Sequence, residues 1–118
     1  MKIKPPFSVN VAAEVALKTS LNHLSYYQDQ VAEISSTRDR IQGELMTFNQ
    51  LDVFPSRANF ILCRVNGASA KTLHNQLESK GILVRYFNTD LLRNYIRISM
   101  GTKEQMKRFI VEMRSLIG

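Results

Sequence analysis

Twenty-one residues, Gly81 to Gly101, read GILVRYFNTDLLRNYIRISMG and leave room for one local plan: strand, polar connection, strand. Ile82-Leu83-Val84-Arg85-Tyr86 is β-branched and apolar, and Phe87 to Asn94 is polar. Tyr95-Ile96-Arg97-Ile98-Ser99 alternates strictly and stops at Met100-Gly101. Side chains along a strand point alternately to opposite faces. Ile96, Ile98 and Met100 are therefore expected on a core face, with Tyr95, Arg97 and Ser99 on the other. Each strand carries one arginine among apolar neighbours. If the strands lie side by side, Arg85 and Arg97 converge on one anion; the alternative is two ordinary solvated arginines at strand ends.

The rest of the chain supplies the cover. Val11-Ala12-Ala13-Glu14-Val15-Ala16-Leu17 suits a first helix, capped by Ser8 or Asn10 and ending near Ser20–His23. Ser25 and Gln28 fit a capping box that opens a long helix to about Phe48. Leu24, Tyr27, Val31, Ile34, Ile41, Leu45 and Phe48 recur at three- and four-residue steps, with Arg38 in the same stripe. Gly43 is expected to mark close packing. Val53-Phe54 is a short extended piece, and ANFILCRV (Ala58–Val65) is the most apolar strand, expected to be central in its sheet. Ser69 caps a helix over 70–80 whose inner face is Leu73 and Leu77, and Gly81 stands where a helix C′ glycine belongs. Thr102 and Gln105 form another capping box. It starts a terminal helix with Met106, Phe109, Ile110, Met113, Leu116 and Ile117 inward.

Helices segregated around a small mixed or antiparallel sheet make an α+β two-layer sandwich, and 118 residues suit one domain, 1–118, with one modest core. No apolar run approaches the roughly 18 residues a membrane helix needs, so no membrane partner is expected. Lys2 and Lys4 precede no apolar signal region, and the single cysteine, Cys63, sits in an apolar strand as a small hydrophobe, which together fit a cytoplasmic protein. The formal net charge of +6 invites nucleic acid, but the basic residues are dispersed among acids, so no nucleic-acid partner is expected. No metal-ligand spacing exists: His23 and His74 are isolated, and each is expected on a helix surface. Tyr26-Tyr27 is expected to be half core and half surface, and Asn59 to make a hydrogen bond where its strand begins.

Several motifs then resemble one family. Lys4-Pro5-Pro6-Phe7-Ser8-Val9-Asn10 followed by a small-residue helix resembles the KPPYNVN lead-in to the small domain of histidinol-phosphate aminotransferase. Pro55-Ser56-Arg57-Ala58-Asn59-Phe60-Ile61-Leu62 resembles its PSxANFIL segment. Gly81–Arg85 and Tyr95–Thr102 resemble its GILVR and LRIS(I/V)GT segments. Phe7 and Ser8 depart from the family's tyrosine and asparagine. The resemblance covers the family's C-terminal small domain, roughly its last third. It implies a pyridoxal-phosphate enzyme that exchanges an amino group between histidinol phosphate and 2-oxoglutarate in histidine biosynthesis.

The resemblance also implies that Arg97 and Arg85 bind the substrate anion. A phosphate monoester suits two planar guanidiniums, which grip it with paired, charge-assisted hydrogen bonds. It implies further a large domain as partner, a homodimeric parent enzyme, and pyridoxal 5'-phosphate held there and not by this chain. The Schiff-base lysine of the family lies in a Ser-x-x-Lys setting of the large domain, and none of Lys2, Lys4, Lys18, Lys71, Lys80, Lys103 and Lys107 follows a serine at that spacing. The chain alone is thus expected not to transaminate, and to self-associate through apolar surface that a large domain would cover. Two other classes remain open: a free-standing regulatory module for a phosphorylated metabolite, and a small basic nucleic-acid binder.

Overall fold

The computed structural model describes residues 10–118; the lead-in motif and Ser8 lie outside the described residues. Two compact units are present, one reaching to Ala32 and one running from Glu33 to Gly118. In the first, α1 (Val11–Asn22) begins at Asn10, whose Oδ1 accepts the Ala12 N–H at 2.8 Å, and ends at His23. α2 (Leu24–Leu45) begins at the next residue. Ser25 is already helical there, so the expected Ser25–Gln28 capping box does not form; the break falls two residues earlier, at His23.

The second unit holds the sheet. β1 (Leu51–Val53), β2 (Phe60–Val65), β3 (Arg85–Tyr86) and β4 (Tyr95–Ser99) lie in the order β1-β2-β4-β3, and every neighbouring pair is antiparallel. β2 and β4 are central, as their apolar content demands. β2 and β3 run parallel with β4 between them, so the β2–α3–β3 passage steps over one strand. Alternation then sorts the faces. Ile61, Cys63, Val65, Ile96 and Ile98 are buried on one face. Phe60, Leu62, Tyr95 and Arg97, half-buried, share the other with exposed Arg64, Arg85 and Ser99.

The buried face carries the core. α3 (Ala70–Ser79) starts on Ser69, whose Oγ accepts the Thr72 N–H, and contributes Leu73 and Leu77. Gly81 closes it at φ +73°, a conformation that glycine adopts without a Cβ penalty. α4 (Lys103–Ile117) opens on the expected capping box: Thr102 Oγ1 accepts from the Gln105 N–H at 3.3 Å and Gln105 Oε1 from the Thr102 N–H at 2.9 Å. Met106, Phe109, Ile110 and Met113 are buried, with Leu116 and Ile117 packed against them.

The long helix α2 splits the expected stripe. Ile41, Leu45 and Phe48 join the core, and Thr37 is buried beside them. Leu24, Tyr27, Val31 and Ile34 are exposed, as is Tyr26, whose ring meets Tyr27 edge to face. A helical period marks an apolar stripe but does not say what covers it. Gly43 has open space around it, so it marks no close packing. Among the described residues no helix is long and apolar enough to cross a membrane.

Candidate functional site

Register places Arg85 directly opposite Arg97. The hydrogen bonds show how they are held. Met100 N–H donates to Asn59 O at 2.9 Å and Val65 N–H to Asn94 O at 2.8 Å. Bonded and non-bonded pairs alternate along an antiparallel ladder, so the backbone groups of residues 94, 96, 98 and 100 point at β2 and those of 95, 97 and 99 at β3. Arg85 and Arg97 are therefore a hydrogen-bonded pair, with Cα atoms about 5.5 Å apart. Both side chains rise from the face opposite the core.

Like charges set opposite each other on neighbouring strands are unfavourable. Among the described residues neither arginine has a carboxylate within ion-pair distance. Aromatic rings stand beside them instead. The Arg97 Cζ lies 5.2 Å from the Phe60 ring centroid, and the Arg85 Cζ 5.8 Å from that of Phe87. Rings attract a guanidinium but do not cancel its charge. Arg97 Nε is buried and has no hydrogen-bond partner among the described residues. A buried donor left without an acceptor is costly.

The segment leading into β2 is pinned. Ser56 Oγ donates to Phe60 O and accepts from the Ala58 N–H, while the Ser56 N–H reaches Gln42 Oε1 at 3.2 Å. Arg38 lies along α2 with its side chain 12% exposed, its Nη1 donating to Ala58 O and its Nε and Nη2 to Asp39. This matches the expected stem along the apolar face with the head at a polar edge. Asn59 contributes its carbonyl to the ladder while its side chain is exposed.

β3 is shorter than the expected strand over 82–86, because Ile82–Val84 leave the ladder. Among the described residues Ser99 has no strand partner on that side, and a cavity of about 360 Å³ opens between Ile82–Val84, β4 and the first turns of α4, with Arg108 in its lining. Arg108 donates to Lys80 O. The cavity lies one step along the strands from the arginine pair and includes neither arginine.

His74 departs from the expected surface position. Its ring stacks on Tyr86 with centroids 5.9 Å apart, and its Nδ1 is buried without a partner among the described residues. Cys63 is fully buried as expected, and burial pushes its thiol up to about 12.

The described lysines lie at or near the surface. Lys18, Lys80 and Lys103 pair with Glu14, Glu112 and Glu33, and Lys71 and Lys107 are exposed. None lines the cavity.

The chain belongs to the aminotransferase class I and II family, whose model matches residues 2–112. Its relatives include the histidinol-phosphate aminotransferases of Dehalococcoides mccartyi, 42% identical over 103 residues and 87% of this chain, and of Roseiflexus castenholzii, 44% identical over 107 residues and 88% of this chain. The chain spans 29% of the length of each of those two relatives. The crystal structure of the histidinol-phosphate aminotransferase from Clostridium acetobutylicum superposes on 96% of this chain with a TM-score of 0.83, using 35% of that chain at 24% identity. At that identity the likeness speaks for the fold.

The rings of Phe60 and Phe87 were not legible as parts of this site. Phe60 meets Arg97 only through the β2–β4 register, and no local pattern in the sequence fixes a register between strands 30 residues apart.

Proposed function

We propose that this chain is the substrate-binding small domain of a pyridoxal-phosphate aminotransferase that moves an amino group between histidinol phosphate and 2-oxoglutarate. The observation that carries the reading is the Arg85–Arg97 pair. The two arginines are paired across neighbouring strands, and among the described residues neither meets a carboxylate and Arg97 Nε is a buried donor with no acceptor. A phosphate monoester near neutral pH carries roughly −1.5 to −2 charge and three acceptor oxygens, which answers both deficits at once. The cofactor supplies the electron sink for amino transfer in such enzymes, and it would be held by the large domain, together with the Schiff-base lysine. The exposed apolar residues of α1, Val15, Leu17 and Leu21 among them, support a large-domain or second-copy contact. The parent enzyme is a homodimer in this reading, in the cytoplasm.

The chain's own residues bind and orient; they do not move the proton or the amino group. An NMR titration of the chain with histidinol phosphate tests the binding. Millimolar or tighter affinity, lost in Arg97→Ala, is expected, and saturation unaffected by that substitution would refute the assignment. Mixing the chain with pyridoxal phosphate, histidinol phosphate and 2-oxoglutarate tests the rest: glutamate well above a protein-free control would show that the chain is itself a catalyst.

A further inference from the structure

We propose that Phe60 is a positioning residue of the anion site: its ring fixes the plane of the Arg97 guanidinium, so that the ligand must approach along the edge that carries the N–H donors. The proposal rests on the anion-binding reading of the arginine pair. Phe60 and Arg97 share one face of the sheet, with Phe60 two residues from Leu62, the direct partner of Arg97. The guanidinium carbon lies 5.2 Å from the ring centroid. Among the described residues no hydrogen bond to Nε and no carboxylate holds the side chain. A long side chain without a polar tether keeps its rotamer freedom, so the ring is the contact left to restrict it.

The ring is itself anchored. Its own backbone carbonyl accepts from Ser56 Oγ, and the two preceding carbonyls accept from the Met100 N–H and the Arg38 guanidinium. Phe60 thus sits on a segment tied to β4 on one side and α2 on the other. A ring against one face of a planar guanidinium leaves its N–H edge as the approach for an acceptor, and that edge is the geometry that gives paired hydrogen bonds to a phosphate. Arg85 is held more loosely. Its contact to Phe87 is longer, at 5.8 Å, and the arginine is exposed. Arg97 is therefore ordered before the ligand arrives, and Arg85 closes on the bound anion.

The test uses the full chain and the variants Phe60→Leu and Phe60→Tyr. The Arg97 Nε–Hε NMR signal without ligand reads the order of the guanidinium, and a histidinol-phosphate titration reads affinity. Phe60→Leu should broaden or move the signal toward that of a free arginine and weaken binding about three- to tenfold, the range a ring–guanidinium contact gives. Phe60→Tyr, which keeps the ring, should stay within about twofold of the parent chain on the same scale. Leucine and parent chains that match in both readouts would overturn the proposal, as would a tyrosine variant that fails like leucine. If the parent chain does not bind histidinol phosphate, the anion reading falls. The Nε–Hε signal then decides the ring's role alone: a signal lost in leucine and kept in tyrosine supports it, and identical signals refute it.

Discussion

Replacing Arg97 with methionine should make the ligand-free chain more stable. Methionine keeps an unbranched apolar stem against Leu62 and Phe60 and removes the charge and the buried Nε. Removing one of two like charges set directly opposite on neighbouring strands contributes roughly 0.2–1 kcal/mol. Relief of a buried donor without an acceptor adds about 1–3 kcal/mol. Against these stands the lost contact with the Phe60 ring, about 0.5–1 kcal/mol for a half-exposed pair. A net gain of about 1 kcal/mol follows, equal to a rise in Tm of about 4 °C for a chain of this size. A phosphate monoester at about twenty times its Kd should then stabilise the parent chain by roughly 1.8 kcal/mol and leave the methionine variant unmoved, which inverts the order. Thermal unfolding followed by circular dichroism, in chloride buffer and with histidinol phosphate, reads both effects. A methionine variant less stable than the parent by more than about 1 kcal/mol in chloride would refute the reasoning, because an arginine that stabilises the empty fold is a structural residue.

The other expectations concern the core, the caps and the apolar surface. The Cys63 thiol is raised from 9.0 to about 12 in the folded chain. Its contribution to stability is therefore full below about pH 9 and falls by up to about 1.4 kcal/mol per pH unit until about pH 12. Urea midpoints from pH 8 to 11 should show this slope in the parent and its loss in Cys63→Ala. Thr102→Ala breaks the capping box of α4 and should cost about 1 kcal/mol in the same assay. A loss below a few tenths would show that water replaces the cap. Leu17 and Leu21, 61% and 60% exposed and one helical turn apart, should drive concentration-dependent association in sedimentation velocity. Leu17→Glu with Leu21→Glu should return the chain to a monomer, and association unchanged by the pair would place the contact elsewhere.

What local sequence could show, it showed well. Ser69, Gly81 and the Thr102–Gln105 box mark helix ends through bonds that span three to five residues, and the apolar periods of α3 and α4 each meet a partner in the core. Three features differ from what the local pattern suggests. Leu24 to Ile34 carry the right period but are uncovered among the described residues. Ser25 carries the right side chain for a cap, but the helix already runs through it because the chain breaks at His23. Ile82–Val84 have strand composition, yet only Arg85–Tyr86 pair with β4. The arginines were legible as strand residues on one face. Their direct opposition is a matter of register, which no local pattern sets. Phe60 and Phe87 enter only after that register is known.

The claim that Arg85 and Arg97 form one site, and not two independent charges, is tested most directly by a double-mutant cycle on histidinol-phosphate affinity. Isothermal titration would compare the parent chain with Arg85→Ala, Arg97→Ala and the double variant. Residues gripping the same phosphate should couple by about 1–3 kcal/mol, so that the second substitution costs much less than the first. Two losses that simply add, or binding that survives in the double variant, would contradict it.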